Sequence, residues 1–139
     1  MNPQSKKRSY IVGEKHYDVG NDLFSLMLDD RMNYSGGYWG NAENLNQAQI
    51  NKLDLICRKM HLRPGMSVLE IGCGWGAFAK YASENYGVSV HGVTISKQQF
   101  EFAQDSCKGL NVSIELKDYR ELNGQYDRVV SVGMFEHVG

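Results

Sequence analysis

Apolar positions along this chain change period several times, and each change marks an element. From Leu45 to Leu62, the residues Leu45, Ala48, Leu53, Ile56, Cys57 and Met60 recur at helical spacing, and Asn44 stands where it can cap the helix. Pro64-Gly65 ends that pattern, and a short continuous run, Ser67–Ile71, reads as a buried strand. A glycine cluster follows, and a helix beginning near Ala77 carries Phe78, Ala79, Tyr81 and Ala82 until Gly87 stops it. Val88–Val93 is the second strand. Ser96 then caps a helix running to about Cys107, with Phe100, Phe102 and Ala103 apolar and Gly109 beyond it. Val112–Leu116 is the third strand, Asp118-Tyr119-Arg120 a loop, and Val129–Phe135 the body of a fourth. Upstream, Leu23, Phe24, Leu26, Met27 and Leu28 predict a short, mostly buried helix, opened by Asn21 or Asp22 and closed by Asp29-Asp30. The aromatic and glycine-rich stretch Met32–Trp39 has little helical character.

Alternating strands and helices imply an α/β fold with a parallel, doubly wound, Rossmann-like sheet and right-handed crossovers. In such a sheet the loops at the carboxyl ends of the strands converge on one crevice. Those loops carry Glu70–Gly76, Thr94–Gln99 and Asp118-Tyr119-Arg120. Residues 1–62 are expected to form an N-terminal helical segment that includes the Met32–Trp39 stretch, and residues 63–139 the α/β ligand-binding domain.

The first of these loops reads Glu70-Ile71-Gly72-Cys73-Gly74-Trp75-Gly76. Glycines at alternate positions remove Cβ atoms where backbone must approach a ligand. The acid inside the motif distinguishes it from the dinucleotide G-x-G-x-x-G pattern and fits a nucleoside with an amino-acid tail. S-adenosylmethionine is such a molecule; a glycine-rich turn that binds nothing is the plainer alternative. Met32–Trp39 has two readings as well, a loop covering the core edge or a lid over the cofactor.

Composition narrows the picture modestly. The 139 residues are 42% hydrophobic and 22% charged, with a formal charge of −1, so nothing draws the chain as a whole toward nucleic acid. Cys57, Cys73 and Cys107 lack C-x-x-C spacing and read as free thiols of a reducing compartment. No zinc constellation is formed by these and the histidines. Lys6, Lys7 and Arg8 lie in an opening segment without the apolar core of a signal peptide, and no run approaches a membrane span. A cytoplasmic location is expected.

Five segments taken together resemble a known family. They are His16-Tyr17-Asp18 with Gly20-Asn21, Tyr34-Ser35 before Tyr38-Trp39, Leu69–Gly76, Gly92-Val93-Thr94-Ile95-Ser96, and Ser131–Gly139 with its Phe135-Glu136-His137. Their order and spacing resemble cyclopropane-fatty-acyl-phospholipid synthases and the related mycolic acid cyclopropane synthases over nearly the whole chain. The resemblance implies a class I methyltransferase fold and methyl transfer from S-adenosylmethionine to the cis double bond of a phospholipid acyl chain. The resulting cation loses a proton, taken in this family by bicarbonate, to close a cyclopropane ring. A peripheral position on the inner face of the cytoplasmic membrane follows from that substrate.

The same resemblance assigns cofactor binding to Tyr34, Ser35, Glu70, Gly72, Gly74, Gly76, Thr94, Gln99, Asp118, Tyr119 and Arg120. Tyr34 and Ser35 belong to the lid, neutral Thr94 and Gln99 replace the usual ribose acid, and Tyr119 is placed to stack on adenine. Glu136 is the implied catalytic carboxylate and shares a bicarbonate site with Gly36. Gly36 stands where the family usually has cysteine, so only a backbone contact is available there. The family's domain continues past Gly139. A fragment is therefore expected, with its fourth strand left as an edge open to self-association. Two other readings stay open: an inactive S-adenosylmethionine-binding remnant, and a methyltransferase acting on a soluble small molecule.

Overall fold

The computed structural model describes residues 20–134. The basic cluster at Lys6–Arg8, His16-Tyr17-Asp18 and the segment from Phe135 through Glu136 and His137 lie outside the described residues. In order, the elements are α1 (Asn21–Met27), α2 (Leu45–Lys59), β1 (Ser67–Ile71), α3 (Ala77–Tyr86), β2 (Ser89–Thr94), α4 (Lys97–Ser106), β3 (Val112–Leu116), a 3-10 turn (Tyr119–Glu121) and β4 (Arg128–Val130). The strands form one parallel sheet in the order β3-β2-β1-β4.

The local signals act as their chemistry dictates. Asn44 accepts a hydrogen bond from the Gln47 amide, and Ser96 accepts one from Gln99, so both helices begin on a side-chain cap. Gly87 ends α3 in the left-handed conformation that residues with a Cβ avoid. β1 begins on a reciprocal clasp, with Ser67 N donating to Asp127 Oδ2 at 2.8 Å and Asp127 N donating to Ser67 Oγ at 3.1 Å. That clasp sets the register of β4, in which Val68, Leu69 and Glu70 face Arg128, Val129 and Val130.

One core joins the segment before the sheet to the sheet itself. Leu53 and Cys57 of α2 pack with Val68, Val90 and Ile114 of the strands and with Phe78, Ala79 and Ala82 of α3. Burying each large apolar side chain stabilises the fold by about 1.5–3 kcal/mol. A smaller cluster of Phe24, Met32 and Trp75 ties α1 and the following loop to the glycine loop. All three cysteines are buried and free, and burial pushes the Cys57 thiol up to about 12.

Two expectations are corrected. α1 is mostly exposed: Phe24 is buried, whereas Leu26 is 88% exposed and Leu23 and Met27 are half exposed. Its apolar residues form one broad face, of which Phe24 reaches the core while Leu23, Leu26 and Met27 stay at the surface. Asn21 does not cap it either, because its Oδ1 accepts from Trp75 Nε1 at 2.9 Å. The fourth strand is also shorter than its apolar run. Pairing with β1 ends at Val130, opposite Glu70, one residue before β1 itself ends. At this edge Val129 is 59% exposed.

Candidate cofactor site

The candidate site lies where β1, β2 and β3 end. Immediately after β1, the amides of Gly72 and Cys73 both donate to the Val93 carbonyl, at 2.9 and 3.0 Å, which ties the glycine loop to the end of β2. Gly72, Gly74 and Gly76 all have left-handed φ, at 74°, 54° and 86°. Their surroundings differ. A Cβ on Gly72 would meet Met134 at 3.0 Å, and one on Gly76 would meet Ala103 and Cys107 at 3.2 Å. A Cβ on Gly74 would meet nothing within 4 Å beyond its chain neighbours. Packing within the chain accounts for the outer glycines, and the middle one keeps backbone open to a ligand.

Glu70, near the end of β1, is 4% exposed, and its Oε2 has no hydrogen-bond partner. Burial pushes its carboxyl up to about 8, opposed by the Ala79 amide and the Lys52 charge. An unsatisfied buried acceptor is costly, so one left at a ligand crevice marks a place where a donor is expected. Lys52 of α2 answers it in part. Burial draws its ammonium down to about 8, opposed by the charges of Asp29 and Glu70.

At the end of β2, Thr94 Oγ1 donates to Gln99 Oε1 at 3.1 Å and accepts from the Ser96 amide at 3.2 Å. Both side chains are 5% exposed, so the pair shapes the loop before it meets any ligand. Beyond β3, the stretch expected as loop is a 3-10 turn organised on Asp118. Asp118 is 1% exposed and accepts from Arg120 N at 2.9 Å, from Arg120 Nε at 2.8 Å and from Arg120 Nη2. The Arg120 guanidinium lies 5.9 Å from the centroid of the Tyr119 ring, which is 39% exposed.

The segment from Asp29 to Tyr38 is held by side-chain and backbone bonds. Asp29 accepts from Asn33 N at 2.7 Å and from Asn33 Nδ2 at 2.9 Å, while Asp30 and Asn46 bond reciprocally at 3.0 and 2.7 Å. Farther on, the Tyr38 amide donates to the Ala48 carbonyl at 2.9 Å. Between these anchors Tyr34 packs edge-on against Phe24, at 5.3 Å between centroids, and against Trp75 of the glycine loop, at 6.4 Å. Ser35 is gripped twice by α2: Gln49 Nε2 donates to its carbonyl and Lys52 Nζ to its hydroxyl, each at 2.8 Å. A Cβ on Gly36 would touch nothing within 4 Å, so cysteine at that position would be accommodated.

The structure thus brings Tyr34 against Trp75 of the glycine loop, ties Ser35 to α2, and sets Thr94 with Gln99 and Asp118 with Arg120 as internally bonded pairs; Glu136 lies outside the described residues. Sequence reasoning passed over Gln49, Lys52 and Trp75. The available signal was Gln49, a polar residue on the core-facing stripe between Ala48 and Leu53, with Lys52 one turn after it. Among the described residues, no group of three His, Cys, Asp or Glu side chains could hold a metal ion. No helix among them is long and apolar enough to cross a membrane.

This geometry has close counterparts. The chain is 63% identical, over all 139 residues, to cyclopropane-fatty-acyl-phospholipid synthase of Escherichia coli K12 and covers 36% of that protein. It is 38% identical over 142 aligned positions to cyclopropane mycolic acid synthase 1 of Mycobacterium tuberculosis, covering 99% of this chain and 50% of the relative. The crystal structure of a mycolic acid cyclopropane synthase, CmaA1, complexed with SAH and CTAB superposes with a TM-score of 0.89 at 38% identity, over 94% of this chain and 47% of the other. The chain therefore spans between about a third and a half of the length of these proteins. Its four parallel strands and their helices are those of the class I S-adenosylmethionine-dependent methyltransferase fold. The family model described as mycolic acid cyclopropane synthetase matches residues 4–139, and this chain belongs to that family.

Proposed function

We propose that this chain carries the cofactor-binding portion of a cyclopropane-fatty-acyl-phospholipid synthase, which transfers a methyl group from S-adenosylmethionine to the cis double bond of a phospholipid acyl chain. The observation that carries this reading is 63% identity to the E. coli synthase across every residue. The site fits a nucleoside with a cationic amino-acid tail. Gly74 offers open backbone, Glu70 an unspent buried oxygen, and Tyr119 a half-exposed ring for adenine.

When bound, S-adenosylmethionine supplies an electrophilic methyl group. This chain's residues bind and orient it. Gly72, Gly74 and Gly76 shape the cradle, Glu70 accepts from the tail, and Tyr34 and Ser35 cover the tail from the lid. Thr94 with Gln99, and Asp118 with Arg120, hold the loops that flank ribose and adenine. Glu136 is the proposed catalytic carboxylate and, with the Gly36 backbone, the proposed bicarbonate contact; bicarbonate supplies the base that takes the ring-closing proton. The lipid partner calls for work at a membrane surface, and the exposed β4 edge is where self-association would occur.

The first test is calorimetric titration of the folded chain with S-adenosylhomocysteine. Saturable binding that Gly74→Val abolishes is the expected result, and a folded chain that binds nothing overturns the cofactor assignment. Labelled methyl appearing in vesicles of unsaturated phospholipid supports the lipid reaction. Labelled methyl appearing in a soluble acceptor, with none in lipid, overturns it. Binding without transfer to either would mark a chain that holds the cofactor and does no chemistry alone.

A further inference from the structure

Lys52 holds a place that no residue role given so far explains. Its ammonium is a donor with no acceptor capacity, so in the 2.8 Å contact the Ser35 hydroxyl oxygen must accept. The Ser35 hydrogen is thereby turned away from Lys52 and left to donate elsewhere. Gln49, one turn earlier on α2, fixes the Ser35 backbone through its carbonyl, so this hydroxyl cannot simply swing aside. Behind the ammonium stand the carboxylates of Asp29, from the segment after α1, and of Glu70, from β1. Asp29 is already committed to the Asn33 amide and side chain and the Arg31 amide, whereas Glu70 retains a free buried oxygen.

We propose that Lys52 is a positioning residue that sets the Ser35 hydroxyl as a hydrogen-bond donor. Lys52 and Ser35 thereby recognise the carboxylate of the cofactor's amino-acid tail while Glu70 takes the ammonium of the same tail. The inference rests on the S-adenosylmethionine reading above. The arrangement discriminates by charge type: an acceptor for the cationic end and a forced donor for the anionic end. A ligand with no amino-acid tail gains nothing from either. Because burial draws the ammonium toward neutrality, a rise in pH frees the amine to accept from Ser35 and reverses the hydroxyl.

The experiment compares S-adenosylhomocysteine with 5′-methylthioadenosine, which lacks the tail, by calorimetry on the full chain and its Lys52→Met, Lys52→Arg and Ser35→Ala variants. Lys52→Met is expected to weaken S-adenosylhomocysteine about tenfold and 5′-methylthioadenosine less than twofold, with Lys52→Arg recovering most of the loss. In Ser35→Ala, which removes one oxygen and leaves the fold intact, adding Lys52→Met should lower the ratio of the two affinities no further. A ratio unchanged in Lys52→Met and in Ser35→Ala overturns this inference and leaves the cofactor reading standing. A folded chain that binds neither nucleoside overturns both.

Discussion

Two buried acids stand at one edge of the sheet and have opposite fates. Asp118, after β3, is 1% exposed and fully engaged by the Arg120 backbone and guanidinium. Glu70, near the end of β1, is 4% exposed and keeps an oxygen without a partner. Burial alone therefore does not distinguish a structural acid from a binding one. The distinction lies in how much acceptor capacity the fold has already used. Asp118 builds its own 3-10 turn, and its charge is balanced two residues away. Glu70 is buried at the folded chain's expense, and a ligand donor is the natural compensation.

If that difference is real, removing each acid should damage a different property. Asp118→Ala is expected to lower stability by about 3–4 kcal/mol, since it leaves the turn and the Arg120 guanidinium without their acceptor. The urea midpoint measures this, and a loss under 1 kcal/mol would show that the turn holds by itself.

Glu70→Gln separates the charge from the shape. The Glu70 carboxyl moves from the ordinary 4.5 up to about 8 on folding, so the folded chain favours its protonated form. The associated stability is present below about pH 4.5 and is lost as pH rises toward 8. Relative to the unsubstituted chain, Glu70→Gln should therefore gain with pH and be more stable by roughly 4 kcal/mol at pH 8, at ~1.4 kcal/mol per pKa unit. A difference that stays flat from pH 5 to 8.5 would mean that Glu70 titrates normally.

Glu70→Ala should weaken S-adenosylhomocysteine binding about 100-fold, equivalent to ~2.7 kcal/mol. Asp118→Asn, with its turn retained, should weaken it less than fivefold. Equal losses from the two would erase the contrast between the acids.

The smallest test contrasts neighbouring lid glycines. A Cβ at Gly37 would press on the Ala48 side chain at 2.9 Å and on its backbone at 3.2 Å, whereas at Gly36 it would touch nothing within 4 Å. Gly37→Ala should cost about 1–2 kcal/mol. Gly36→Ala should change stability by less than about 0.5 kcal/mol. Thermal melts of the two variants decide it.

The same contrast shows what a linear reading captures. β1 and β3 were legible to the residue, and Asn44 and Ser96 act as the caps they looked like, because those signals are local. The shared crevice followed from the order of strands and helices. The apolar run after Arg128 was misleading, since strand pairing there ends at Val130 and the run goes on beyond it. Leu23, Leu26 and Met27 misled in another way, because hydrophobicity names a preference for burial and tertiary packing grants it to Phe24 alone within α1. Nor does sequence distinguish Glu70 from Asp118. That requires knowing that Arg120 reaches back to one and that Lys52, on a helix before the sheet, feels the other across a distance in sequence no periodicity spans.

The strand order has a temporal consequence. β1 lies between β2 and β4, so the earliest made of the four described strands receives its second neighbour from the latest made of the four. Until Asp127 arrives to clasp Ser67, one ladder of β1 hangs open, and Met134 is not yet there to pack against Gly72. Such distant pairings make for slow closure, during which a nascent chain exposes strand edge and depends on its surroundings to avoid wrong partners. The loop read as the cofactor cradle is thus made well before the strand and the Met134 side chain that complete its surroundings.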